Sequence, residues 1–489
     1  VNEGTRVQVD SPPLAPSQRL REIADLPGPR GLPVLGNLLQ VRRSAIHQDV
    51  ERWSREHGPY FRFSLGGRQL LAVADHEALH AVLRDRPEGF RRTRLLESIG
   101  SEMGLKPGVF GANGDTWKRQ RRTVMAGFDP SHVKAYFPSL LKVTQRLHRR
   151  WLTAARTATP IDLQSDLMRF TVDAIAGLAF GTDINTLESD ADVIQRHLDK
   201  IFPAFFKRLF SFFPTWRYVR SAADRELAQS IEAVNVQIDV FIREARARLQ
   251  ADPARREHPP NLLEAMIVSA DAGDAAVVSD SEVAGNVMTM LLAGEDTTAN
   301  TLAWMICLLQ RNPAALQRAQ AEVRSLAPDA AGFTTEQMAS LDFLEACAHE
   351  TMRLKPVAPF QVTEALRDTT IADIRIPAGT MVWCVMRGDT MDERYFPKAE
   401  AFEPQRWLAH GSAGEAANSA KRVSIPFGAG PRVCPGRYLA LLEIKMAAAM
   451  LLAHFDIESV ATPSGAEAAE LMSFTMTPVG LQMRLRERA

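Results

Sequence analysis

The chain has 489 residues, of which 46% are hydrophobic and 24% charged, and its 58 basic and 58 acidic side chains give a formal net charge of zero. That length can build a large core, the composition is that of an ordinary globular protein, and the charge balance gives no reason to expect nucleic acid as a partner. Its four cysteines, Cys307, Cys347, Cys384 and Cys434, are widely spaced with no CxxC pair, so neither a disulfide framework nor a zinc knuckle is indicated and a reducing compartment, the cytoplasm, fits best.

In chain order, residues 1–25 are polar with two Pro-rich spots and lack the apolar block of a signal peptide or membrane anchor. They read as a tail ahead of one domain at 26–489. LPGPRGLPVLGNLLQ (26–40) is Pro/Gly punctuation before a helical stretch. YFRFSLGGRQLLAVAD (60–75) alternates about Gly66-Gly67 and predicts a β-hairpin. From about 76 to 355 the pattern is nearly all helical. Within it, IFPAFFKRLFSFFPTW (201–216) holds six phenylalanines and a tryptophan. DSEVAGNVMTMLLAGEDTTANTLAWMICLLQRN (280–312) reads as a buried helix that starts at an Asp/Ser cap, stops at Pro313 and runs about 45 Å. Strand signals return in IADIRIPAGTMVWCVM (371–386). A small-residue loop (409–420), a final helix (437–455) and a short β-like tail complete the chain. The fold class is mainly α with small peripheral β-sheets (α+β).

Two stretches carry chemistry that packing alone does not ask for. GEDTT (294–298) lies in the middle of the buried helix, where a carboxylate and two hydroxyls cost several kcal/mol unless paired or wetted. Read structurally, it is a satisfied kink, with threonine bonding back one turn. Read functionally, it is a perturbed acid in a site. In IPFGAGPRVCPGRYLALLEIKMAA (425–448), Cys434 sits in a Gly/Pro-rich loop between Arg432 and Arg437, just before an apolar helix. A bland Cys434 is a small buried hydrophobe. Yet Gly428, Gly430 and Gly436 let backbone approach closely, and loop N–H groups with the following helix N-terminus favour a thiolate. A lone thiolate makes a poor zinc site. It suits haem iron, whose porphyrin supplies the equatorial donors, and the haem propionates then need basic partners.

Phe427-Gly428-x-Gly430-x-Arg432-x-Cys434-x-Gly436 resembles the haem-binding signature of the cytochrome P450 family, with every fixed position present. AGEDTT (293–298) is similar to that family's oxygen-activation motif, and Glu350-Thr351-Met352-Arg353 to its ExxR. FEPQRW (402–407) supplies Arg406 to pair with ExxR, and Trp117-Lys118-Arg119-Gln120-Arg121 matches W-x-x-x-R. LPGPRGLPVLGN looks like the family's proline hinge without the anchor. The resemblance covers roughly residues 26–489 and is to a soluble, bacterial-type member. It implies a P450-like fold with haem b (iron protoporphyrin IX) between the long central helix and the Cys loop with the final helix. It implies that Cys434 is the proximal ligand, with Phe427 packed beside the sulfur. Asp296 and Thr297 would hold a water and relay protons, and Gly294 would keep the helix close to the iron. Trp117, Arg121 and Arg432 would hold propionates, while Glu350, Arg353 and Arg406 form a structural ion-pair network. One departure is Thr363, which stands where many members carry a propionate-binding arginine. Either Arg432 and Arg121 suffice, or another basic residue substitutes.

The activity so implied is a haem-thiolate monooxygenase inserting one atom of O2 into a small apolar substrate. Its electrons come ultimately from NAD(P)H through a separate partner, since the chain shows no flavin fingerprint and no iron–sulfur spacing. Lys118, Arg119, Arg122, Lys421, Arg422 and Arg437 form either a basic docking face for an acidic ferredoxin or flavodoxin or a solvated, charge-balanced surface. By position the Phe-rich segment resembles the family's roof over an apolar pocket that includes Val357, Ala358 and Phe360. A fatty acid, terpenoid or steroid-like molecule suits it, with Lys207 or Arg208 anchoring a carboxylate or snorkelling to water. The rival class is a zinc hydrolase built on HEALH (76–80), with His76 and His80 as ligands and Glu77 as base. Against it, Asp75 reads as an N-cap that puts His76 in the first turn of an ordinary helix. A haem sensor without turnover is the third class, and the Asp296-Thr297 pair argues against it.

Overall fold

The computed structural model describes residues 20–128, 130–189, 193–211, 213–272, 279–408 and 420–488. The helix Asp280–Arg311 organises the core. Its N-cap Ser279 and Glu282 form a reciprocal capping box, which satisfies two of the amide donors that a helix start leaves open. It lies against Leu163–Phe180 on one side and against Asp342–Leu354 and Arg437–His454 on the other. Most of its side chains are fully buried, as its apolar circumference predicts. The exception is its middle, where Ala293 is exposed and Gly294, Asp296 and Thr297 are half-exposed. Of these accessible residues, Ala293 and Thr297 border an internal cavity.

The hairpin forms where the alternation places it, with Tyr60–Leu65 antiparallel to Arg68–Val73 across Gly66-Gly67. It extends into a five-stranded sheet through Met381–Val385, then Phe360–Ala365, then Phe90–Arg92. Arg68–Val73 pairs in parallel with Met381–Val385, and the other two pairings are antiparallel. The 371–386 region yields Thr369–Ile371, Ile374–Ile376 and Met381–Val385. Phe90–Arg92, Ile161–Asp162 and Phe360–Ala365 interrupt the helical region or follow it where no strand is predicted. The first two are too short to show a period. Phe360–Ala365 lies between two other strands, with Thr363 and Glu364 buried in succession before Ala365, so it shows no clean alternation. The final helix Arg437–His454 is followed by Phe455–Ala461, a hairpin of Glu470–Met472 and Met476–Pro478, and Gln482–Glu487. The 409–420 loop falls outside the described residues apart from Ala420. Among the described residues no helix is long and apolar enough to cross a membrane.

Candidate active site

The cysteine loop is held by its glycines. Gly428 and Gly430 take φ of +72° and +69°, a region that costs other residues dearly. A Cβ on Gly430 would also lie 2.5 Å from the Leu83 carbonyl oxygen of the His76–Arg84 helix. The loop thus presses backbone to backbone on that helix. The Cys434 N–H donates to the Phe427 carbonyl at 2.9 Å, which pins the cysteine beneath the turn. Burial pushes the Cys434 thiol up, while the Gly436 N–H and the cations of Arg121 and Arg437 counter it. Cys384, fully buried, is pushed up to about 12 by that burial, in spite of the Thr363 hydroxyl and the nearby cations of Arg86 and Arg92. Cys434 is only half-buried, whereas the other three are buried.

Beside the loop lies a set of arginines with no carboxylate partner among the described residues. Arg121 donates to the Val433 carbonyl at 2.7 Å, and Arg432 stacks on Trp117 at 4.7 Å and donates to the Ala112 carbonyl. Arg92 stands directly across the sheet from Thr363, packed over the Phe110 ring at 4.3 Å. Its position was not legible as a site in the sequence; only the strand register puts it opposite Thr363. Arg86 joins them, donating to Gln361 at 3.2 Å. Burial and mutual repulsion lower Arg92 well below the usual guanidinium range and Arg432 to about 9. The Nε atoms of Arg92 and Arg432 are buried without a partner. Buried, uncompensated positive charge costs several kcal/mol per ion, and a dianionic porphyrin is the kind of group that offsets it. The donor set therefore fits haem.

The central helix supplies the opposite wall. The Thr297 hydroxyl donates back to the Ala293 carbonyl at 2.7 Å, so the structural reading of GEDTT is realised there. Asp296 is different. It accepts from the Thr475 hydroxyl at 2.7 Å and, marginally, from Asn300 at 3.5 Å. Burial raises its pKa against those two bonds. The bare Cα of Gly294 faces Ile175 of Leu163–Phe180, where a Cβ would sit 3.3 Å from the side chain.

A cavity of about 1060 Å³ adjoins the central helix and Arg92, and no residue of the cysteine loop lines it. Ala293, Thr297, Arg92, Thr475, Phe360 and Ala358 line it; Val357, Asp296 and Cys434 do not. The Phe-rich segment covers it, with Phe202, Phe205, Phe206, Phe210 and Trp216 among the lining residues; Phe212 falls outside the described residues. The carboxylate anchor expected at Lys207 or Arg208 is not there. Lys207 is exposed and off the cavity, and Arg208 is paired with Asp224 at 2.8 Å. The lining cations Lys106 and Arg217 are likewise paired, with Asp239 and Glu102. Arg43 and Arg68 also line the cavity, are exposed, and have no ion-pair partner among the described residues.

Behind the cysteine side, Glu350 is completely buried. It accepts from Arg353 at 2.8 and 2.9 Å, from Arg406 at 3.1 Å, from Trp407 Nε1 at 2.8 Å and from the Glu403 N–H at 3.0 Å. Five donors on one carboxylate explain how the charge is tolerated. The zinc alternative fails on geometry. His76 Nδ1 is 2.6 Å from Asp389 and His80 Nε2 is 2.8 Å from the Arg422 carbonyl, so the two rings serve different contacts. Asp75 caps the helix, accepting from the Ala78 N–H at 2.8 Å. Of the basic residues near the cysteine side, Lys118, Arg119 and Arg422 are paired with Glu88, Glu282 and Glu77. Arg437 stacks on Tyr438, while Arg122 and Lys421 are exposed.

Comparison with known proteins agrees with this architecture. The chain is 25% identical over 433 residues to Protein LUTEIN DEFICIENT 5, chloroplastic, of Arabidopsis thaliana, covering 86% of this chain and 71% of that protein. It is 27% identical over 489 residues to the self-sufficient cytochrome P450 monooxygenase CYP505U2 of Exserohilum turcicum (strain 28A), covering 96% of this chain but 41% of that protein. The fold superposes on the crystal structure of the cytochrome P450DA heme domain with a TM-score of 0.81 at 24% identity, covering 96% of this chain and 99% of that one. The Cytochrome P450 family model matches residues 26–485, and the chain belongs to that family of haem-thiolate monooxygenases, which use O2 and a redox partner.

Proposed function

We propose that the protein hydroxylates a long-chain amphipathic carboxylate, a fatty acid rather than a terpenoid or steroid-like molecule, at the end remote from the carboxylate. The observation that carries this is the pair Arg43 and Arg68, unpaired on a largely apolar cavity that continues to Thr297. Every other basic residue lining that cavity, save Arg92 beside the cysteine loop, has a carboxylate of its own. An acid held at Arg43 and Arg68 leaves its chain among the phenylalanines and its tail toward the central helix.

In this reading Cys434 holds the haem iron as thiolate, with Phe427 beside the sulfur, and Trp117, Arg121, Arg432 and Arg92 hold the propionates; Arg92 takes the place left by Thr363. The haem, when bound, supplies O2 activation. The chain's own part is to keep water off the cavity, to orient the tail, and to deliver protons through Thr297 and Asp296; Gly294, expected to keep the helix close to the iron, instead lets Leu163–Phe180 pack closely on it at Ile175. Four cysteines without a disulfide partner support a reducing, cytoplasmic setting. Electrons would come from NAD(P)H by way of a ferredoxin or flavodoxin. Its docking face is narrower than the sequence suggests, resting on Arg122, Lys421 and Arg437. Turnover with an acidic partner should fall as ionic strength rises; a salt-independent rate removes that face.

The substrate reading is tested by spin-state titration. Dodecanoate should bind at least about tenfold more tightly than dodecan-1-ol, and Arg43→Ala with Arg68→Ala should erase the difference, since a charge-assisted hydrogen bond contributes about 1.5–3 kcal/mol. Equal affinity for acid and alcohol in the unsubstituted protein overturns the anchor.

A further inference from the structure

The hairpin near the C-terminus contacts the cavity and the buried acid with adjacent residues. Its two strands, Glu470–Met472 and Met476–Pro478, pair in register, leaving Ser473, Phe474 and Thr475 as the turn. Phe474 has φ of +98°, a strained conformation for an aromatic residue. Its ring stacks on Phe202 at 4.4 Å and lies edge-on to Phe205 at 5.6 Å and Phe110 at 5.8 Å. Thr475, the next residue, gives its hydroxyl to Asp296 at 2.7 Å. Phe474, Thr475 and Thr297 line the cavity, whereas Asp296 does not. The Thr475 side chain therefore stands between the acid and the cavity.

The base of the hairpin is fixed. Glu470 accepts from His47 at 3.0 Å, Gln48 at 3.1 Å, Lys355 at 2.7 Å and Arg387 twice at 2.9 Å. Arg387 in turn binds Glu51 at 2.7 Å. Any displacement at the tip is absorbed within the short turn. A guest packed against the Phe474 ring presses on a turn of only three residues, in which Thr475 is the next residue.

We infer that Thr475 is a latch on Asp296, and that a guest displacing Phe474 opens it. Latched, Asp296 spends its carboxylate on Thr475 and Asn300. Released, it faces Thr297 and the cavity. The gain is in coupling. With a substrate RH in place, O2, two electrons from the redox partner and two protons give ROH and water. Without one, the same inputs give hydrogen peroxide. A latch that withholds the acid until the cavity is filled suppresses the second outcome. Thr475 is thus a positioning residue, acting through Asp296. The inference rests on the proposed proton-delivery role of Asp296, and it does not depend on which substrate is bound.

The test uses the haem-loaded full chain without substrate, with Thr475→Val, Thr475→Ser and Asp296→Asn. Infrared difference spectra identify the Asp296 carboxyl stretch as the band lost in Asp296→Asn. That band should shift in Thr475→Val and return in Thr475→Ser. The rate of substrate-free peroxide release per enzyme, at saturating reductant, should rise about fivefold or more in Thr475→Val and return with serine. A shifted band with no rise in peroxide, or a rise that serine does not reverse, overturns the latch. An unshifted band overturns the hydrogen bond itself. If Asp296→Asn leaves proton-dependent turnover of dodecanoate unchanged, it is the relay reading that fails instead.

Discussion

Cys434→Ser is expected to yield a folded protein that has lost the red-shifted carbonmonoxy Soret band of thiolate-ligated haem, with monooxygenation at background. The loop geometry is built by backbone: the φ of Gly428 and Gly430, and the Cys434 N–H to the Phe427 carbonyl. Serine keeps all of these. What it removes is an atom whose anion the Gly436 N–H and the nearby cations Arg121 and Arg437 stabilise. A hydroxyl is far harder to ionise than a thiol, so the proximal charge that favours O–O cleavage is gone. Far-ultraviolet circular dichroism reports the fold independently. A folded serine variant whose carbonmonoxy spectrum matches that of the unsubstituted protein would remove Cys434 from the iron.

The largest stability loss is expected at Glu350. Glu350→Gln keeps the shape but strips the charge from a carboxylate that is wholly buried among Arg353, Arg406 and Trp407. Two guanidinium groups then lack their counter-ion, and breaking a buried pair in this way costs about 3–5 kcal/mol. That is a large fraction of a typical folding free energy of about 5–15 kcal/mol. The denaturation midpoint should fall accordingly. Burial alone would raise the Glu350 pKa, but Arg353 and its fellow donors hold it below the ordinary 4.5. A folded value below the unfolded one means stability that is present above pH 4.5 and lost as pH falls through the folded value. The unsubstituted protein should therefore show an acid-side loss at this site that Glu350→Gln lacks. A midpoint within experimental error of the unsubstituted protein would mean that the network does not hold this region.

Local chemistry was legible wherever a single segment carries it. The Gly66-Gly67 hairpin, the Ser279-capped central helix, the Asp75 cap and the cysteine loop each contain their own turn, cap or period. The family resemblance rests on such segments. The Asp75 cap expected ahead of HEALH is formed, its carboxylate accepting from the Ala78 N–H. What the sequence left open was where distant residues meet. It offered Lys207 or Arg208 as an anchor because both lie near the roof, but Asp224, in a different helix, takes Arg208. It saw that Thr363 breaks the arginine pattern, but not that Arg92 faces it.

By itself the sequence disclosed the reaction class through a family resemblance, because the motifs that carry it are short segments whose conformation is local. Only the tertiary structure decided which cations are free for a ligand, and that Thr475 holds Asp296 across 179 positions of chain. The reason is physical. Backbone propensity acts over a few residues, whereas charge neutralisation and side-chain hydrogen bonding depend on distance in space, and nothing in the spacing of the chain encodes which partners burial will bring together.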